Sequence, residues 1–254
     1  MSFQFLAKLP ILILLLASAS VLADEEKSPD LTGPPAREEF LVLPLHVHIL
    51  TADGHPEIDC KLADSDIERI IGKANRVWSM AGIAYRIESL DREPAENIEQ
   101  FEEHKKLAEG GTLGIYRTIA PKGTRALPGL HVYYVHALPV NGVYLGANMC
   151  FVKETASLRK VEGGIDEPIP RVTSHEIGHA LGLIHRQNTT NLMASGTTGT
   201  ILNQAEMTRS RAIAKKFPGV MTASECAAAA TAAEKKGDEQ LAKRLREAMA
   251  SIPK

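Results

Sequence analysis

The sequence lacks a surplus of charge of either sign. Its 29 lysines and arginines stand against 31 aspartates and glutamates, a formal net charge of −2. A nucleic-acid surface needs a basic face, so no nucleic-acid partner is expected. No apolar run approaches the ~20 residues of a membrane span. Cysteine is scarce. Cys60, Cys150 and Cys226 have spacings that match no zinc cluster, and three cannot all pair within one chain. At least one is therefore free or intermolecular, and the sequence does not say which two would pair. Internal repeats are absent. What remains is 44% hydrophobic and 24% charged over 254 residues. That is ordinary globular composition, and it excludes a disordered tail, a collagen and a coiled coil.

The first residues read as an address. Lys8 is the only charge before Asp24, and residues 9–16 (LPILILLL) form an apolar stretch too short to span a bilayer. Small residues follow, and Val21-Leu22-Ala23 fits a signal-peptidase site. This predicts a signal peptide over 1–23, hence a secreted, periplasmic or otherwise extracytoplasmic protein with no membrane attachment after cleavage. Residues 24–39, with Pro29, Gly33, Pro34 and Pro35, read as a linker. A strand is expected over 40–50, where Pro44 favours an edge position or a bulge. Apolar residues recur at helical spacing over 64–80, with Asp64 or Ser65 as cap and Gly82 as stop. Further strands are expected over 83–89, 130–138 and 142–152, with a charged helix-permissive stretch over 94–109. A short helix starts at Pro170 or Arg171 and stops near Gly182, and another covers 203–217. Thr222 and Glu225 match a capping box that opens a terminal helix or helical hairpin, broken at Gly237.

Residues 175–185 read HEIGHALGLIH. On a helix, His175 and His179 share a face and can grip one metal ion. Glu176 adjoins the first of them and can take a proton from metal-activated water. A continuing helix would carry His185 away. Gly182 can adopt the positive φ that ends the helix and turns the chain, which returns His185 as a third ligand. Three imidazoles leave one position open, the arrangement of a catalytic rather than a structural Zn2+.

HExxHxxGxxH resembles the metzincin clan of zinc endopeptidases. That resemblance implies an α+β zincin fold: a twisted mixed sheet with a long helix, then an active-site helix, a Met-turn and C-terminal helices. It implies a catalytic domain over 40–218, with 219–254 as a helical extension. Asn191-Leu192-Met193-Ala194 is placed for the Met-turn, so Met193 would be the floor of the metal site and not a ligand. It implies Zn2+ held by His175, His179 and His185, Glu176 as general base, and a protein or peptide substrate lying along an edge strand near 142–152. The chain departs from the clan in three ways. Arg186 follows the third histidine, no tyrosine follows Tyr144, and the stretch from His185 to Met193 is short. No subfamily is therefore assigned, and oxyanion stabilisation would rest on the metal with backbone groups of the edge strand.

Two other functions compete with an endopeptidase. One is a non-catalytic secreted module that holds peptides on its edge strand, which leaves Glu176 without purpose. The other is a narrow processing enzyme or exopeptidase, for which Arg186 is the candidate charged anchor. Residues 196–200 are the expected pocket wall. His46 and His48 share a strand face and would need His131 or His136 to form a second metal site; ordinary strand histidines are preferred. Asp53, Asp59, Asp64 and Asp66 lack a calcium-loop pattern.

Overall fold

The computed structural model describes residues 35–107 and 113–252. The expected signal peptide and residues 24–34 of the linker lie outside them. Strand β1 (Leu41–Thr51) leads into α1 (Asp64–Trp78), β2 (Ile83–Pro94) and α2 (Ile98–Leu107). After α3 (Lys122–Arg125) come β3 (Leu130–Val135), β4 (Gly142–Tyr144) and β5 (Met149–Lys153). His175, Glu176 and His179 lie on α4 (Pro168–Ala180), followed by α5 (Gln204–Ala214), β6 (Met221–Thr222), α6 (Ala223–Lys235) and α7 (Glu239–Ala250). The fold is α+β. The sheet is mixed, ordered β2-β1-β3-β5-β4, with β4 the antiparallel edge and β6 paired to the start of β1.

Period-2 patterning sets the two faces of the sheet. Leu41, Leu43, Leu45, Val47 and Ile49 of β1 share one core with Ile67, Ile70 and Trp78 of α1 and with Val172 and Ile177 of α4. On the other face, Phe40 and Val42 pack against Leu245, Ala248 and Ile252 of the terminal hairpin. Farther along, Leu50 joins Phe101, Tyr133 and Phe151. The hairpin reading holds: Thr222 caps α6 in a capping box with Glu225, and Gly237 sits at positive φ between α6 and α7. Arg244 of α7 donates to Glu88 O, which covers part of the β2 edge.

Two local expectations are corrected, and the one for Pro44 is met as a bulge rather than as an edge. Pro44 is not on an edge strand, because β2 flanks β1 throughout and β3 flanks it from Leu45 to Ile49. It falls between the ladders to β6 and β3, where a missing N–H costs no bond. The expected bulge is present, since the register to β2 shifts between Leu45 and His46. The single strand over 142–152 is two strands, turned by Gly146, Ala147 and Asn148, all at positive φ. The cap of α1 is Ala63, with the Asp66 carboxylate accepting from its N–H at 2.9 Å, rather than Asp64 or Ser65. All three cysteines are free and buried. Burial raises each thiol pKa, that of Cys60 to about 12, so none is held as thiolate.

Candidate metal centre

Helix α4 starts on Pro168 and Pro170, whose missing N–H groups cost nothing in a first turn. Its placement is fixed from both sides: Tyr134 of β3 meets Thr173 at 3.0 Å between hydroxyls, and Val172 and Ile177 enter the main core. The helix ends as the sequence predicts. Gly182 has φ 79°, Leu183 N–H donates to Gly178 O at 2.9 Å, and Gly182 N–H donates to His179 O at 3.0 Å. This left-handed turn satisfies the last carbonyls and reverses the chain. A side chain at Gly182 would also strike Ile213 of α5.

The turn brings the three histidines together. Nε2 of His175 lies 3.2 Å from Nε2 of His179 and of His185, and the latter two are 3.1 Å apart. His175 Nδ1 is 2.8 Å from Leu192 O, and His179 Nδ1 is 2.9 Å from Leu183 O. A carbonyl can only accept, so both Nδ1 atoms carry the hydrogen and both Nε2 atoms present a lone pair. Lone pairs aimed at one point form a cation's donor set. Three nitrogens ~2.05 Å from a tetrahedral zinc ion would be ~3.3 Å apart, close to the distances found. Nitrogen donors also disfavour calcium and magnesium, which take oxygen. The residues present fit Zn2+.

Burial, followed by the Arg171 cation, lowers the His175 pKa to about 3, and burial lowers that of His179. Both rings are thus neutral and ready to bind a metal. Glu176 is 5% exposed. Burial pushes its carboxyl up to about 8, partly offset by the Tyr144 N–H that donates to it and by Arg171. Gly142 is needed here, because a Cβ would stand 2.9 Å from Glu176 Oε1 and 2.5 Å from Val172. The edge strand β4 therefore lies directly against the carboxylate. A cleft of about 630 Å³ opens over these groups, walled by β4, Val140, Leu158, Ser195 and Gly196.

Met193 is fully buried, with Sδ where a side chain on Gly178 would have to go, 2.6 Å from that Cβ position. It thus packs against the helix between the two histidines. Asn191 shapes this turn by accepting from Met193 N–H at 2.7 Å. Glu206 is a hub that the sequence reading missed: it accepts from Arg186 (2.6 Å), Asn191 (2.8 Å) and Asn203 N–H (2.9 Å). Its spacing to Asn203 is a legible capping box, but its second duty is not. Arg186 donates through Nε to Glu206 and is not among the residues that wall the cleft. The expected wall is also shifted: Ser195 and Gly196 face the cleft, whereas Thr197 and Thr198 are buried behind it.

The strand histidines form no converging set. His46, His48 and His131 are stacked along the sheet, and His136 is elsewhere, 2.5 Å from Glu154. Among the described residues, the triad of His175, His179 and His185 is the one group with donors close enough to share an ion. No helix among them is long and apolar enough to cross a membrane.

No protein-family model matches the chain, and no curated protein matches it. Among solved structures it is similar to metalloproteinase-II from Bacteroides fragilis, at 14% identity and TM-score 0.39, over 71% of this chain and 55% of that one. It is similar to a chain in the structure of a chaperone-substrate complex, at 11% identity and TM-score 0.40, over 71% and 35%. A zinc-dependent peptidase from Methanocorpusculum labreanum matches at 14% identity and TM-score 0.31, over 67% and 99%. The chain thus spans about half of the first of these and about a third of the second. Likenesses this distant leave the chemistry to the side chains of the site.

Proposed function

We propose that the protein is a secreted zinc-dependent endopeptidase of metzincin type. Residues 1–23 serve as export signal, 40–218 as catalytic domain and 219–254 as helical extension. The observation that carries the reading is the convergence of three imidazole Nε2 atoms beside a buried carboxylate on the floor of a cleft.

His175, His179 and His185 would hold the ion. When bound, zinc would polarise the scissile carbonyl and make water a better nucleophile at neutral pH. The chain supplies the rest. Glu176 takes the proton of the attacking water and passes it to the leaving amine. The Tyr144 N–H beside it favours the charged form of that carboxylate. The outer edge of β4 offers free backbone groups along which an extended peptide can pair, and apolar walls at Val140 and Leu158 exclude water around it. With Arg186 bound to Glu206, nothing at that position marks a free terminus, which favours internal cleavage.

The test is hydrolysis of a peptide library by the zinc-loaded chain, with Glu176→Gln and His179→Ala alongside. The Glu176→Gln chain should keep zinc and lose ~10²–10⁴-fold in turnover, and His179→Ala should lose zinc as well. Zinc-bound parent that cuts no peptide bond would shift the reading to a peptide-binding module.

A further inference from the structure

We infer that Arg171 is a positioning residue that locks segment 191–199 onto α4 and so fixes the aim of His175; this rests on the metal reading above. Arg171 lies one helical turn before His175 and is 2% exposed. Its Nε donates to Gly199 O at 3.1 Å, and its Nη2 donates to Ala194 O and, at 3.4 Å, to Asn191 O. His175 Nδ1–H donates to Leu192 O in the same segment. Two donors one turn apart on α4 thus gather four carbonyls of a single loop, the loop that carries Met193 and the cleft wall at Ser195 and Gly196.

Nη1 of Arg171 stands 3.1 Å from His175 Nδ1. Both atoms carry hydrogen, so this is contact and not a bond. It stops the ring from swinging toward the helix start. A buried guanidinium normally meets a carboxylate, yet among the described residues none lies within ion-pair distance of it. Its partners are backbone carbonyls alone, which is the use of a cation as a brace. Gly199 makes the brace reachable. A Cβ there would come within 2.5 Å of Thr189 and Thr190 backbone, so only glycine lets the loop close onto itself and present its carbonyl inward. The planar fork is also required, since a lysine ammonium is a single point and cannot reproduce the two separate donors, Nε to Gly199 and Nη2 to Ala194, that one guanidinium presents.

Without the fork, buried carbonyls lose their partners and the loop must shift. Leu192 O then leaves His175 Nδ1, and the first imidazole loses the bond that sets its tautomer and direction. Such orienting partners typically change metal affinity by roughly ten- to hundredfold.

The experiment measures zinc affinity by chelator competition in the parent, Arg171→Met and Arg171→Lys chains. It adds the visible spectrum of each with cobalt(II) in place of zinc, and the unfolding of each without metal. Arg171→Met should bind zinc about tenfold or more weakly and show an altered cobalt spectrum. Arg171→Lys should not restore either. A purely structural arginine would lower metal-free stability and leave the spectrum unchanged. Folded Arg171→Met with parental affinity and spectrum overturns the inference. Where that chain does not fold, parental values in Arg171→Lys overturn it equally. A parent that takes up no zinc refutes the metal reading itself, which separates the two failures.

Discussion

Glu176 is held in two opposed ways. In the metal-free chain, burial outweighs the Tyr144 N–H and the Arg171 cation and raises its pKa to about 8. A dication at the three imidazoles reverses the balance, since a nearby positive charge favours the carboxylate. Zinc uptake at pH 7 should therefore release about one proton. His175 adds none, being neutral already with its pKa near 3. Calorimetry of zinc binding in two buffers of different ionisation enthalpy reads the number directly. The Glu176→Gln chain should release none at that site, and equal release from both chains would refute the assignment. The convergence of the three histidines beside this carboxylate is legible because a helix converts fixed spacing into a shared face, and Gly182 marks the turn that returns His185. Arg171 and Glu206 were not legible in these roles. They bind loop groups far along the chain, to which no spacing rule points.

At the scale of the element, α4 is a helix shaped by what presses on it. Gly178 sits inside it, where glycine ordinarily costs ~0.5–1 kcal/mol relative to alanine. A Cβ there would lie 2.6 Å from Met193 Sδ and 3.2 Å from its methyl. Gly178→Ala should therefore reverse the usual sign. We expect ~1–3 kcal/mol of destabilisation from overpacking, seen in denaturant unfolding of the metal-free chain, with weaker zinc binding as Met193 is displaced. A more stable alanine variant would mean that Met193 does not bear on the helix. Element patterns were readable to differing degrees. The period of α1 survives into the structure because its apolar face is the core face. The 142–152 stretch reads as one strand because its apolar residues run on through Gly146 and Asn148, the turn residues that divide it. Pro44 pointed to an edge or a bulge without choosing between them, because a break between two ladders relieves its missing N–H as well as an open edge does.

Across the whole molecule, the sheet separates two kinds of polar chemistry. The histidine triad lies on the α4 side, while the opposite face carries a buried polar band between two apolar clusters. In that band His131 Nε2 is 2.8 Å from Leu127 O, His48 Nε2 is 3.0 Å from His131 Nδ1, and His48 Nδ1 is 2.7 Å from Glu93. Each gap needs one hydrogen, so two imidazoles and a carboxyl hold three protons and no net charge. His46 stacks on His131, Tyr133 stacks on His48, and Thr124 donates to Glu93, so the band has little room for another charge. Burial, then the neighbouring histidines, lowers the His48 pKa to about 3, and burial lowers that of His131. Unfolded histidines bind protons near 6.5. The unfolded chain therefore holds more protons than the fold between about pH 6.5 and 3, and stability must fall as pH falls through that window. Glu93, raised by burial, opposes this only above the ordinary carboxylate range. His48 alone should contribute a slope of ~1.4 kcal/mol per pH unit in the middle of the window. Urea unfolding of the metal-free chain at several values from pH 6 to 4, compared with His48→Gln, isolates that slope from the rest of the chain. The variant should be less stable near neutrality, having lost the His131 and Glu93 bonds, but distinctly flatter toward acid. Parallel pH dependences in the two chains would show that His48 takes up its proton in the fold as readily as in the unfolded chain, and the three-proton band would have to be abandoned.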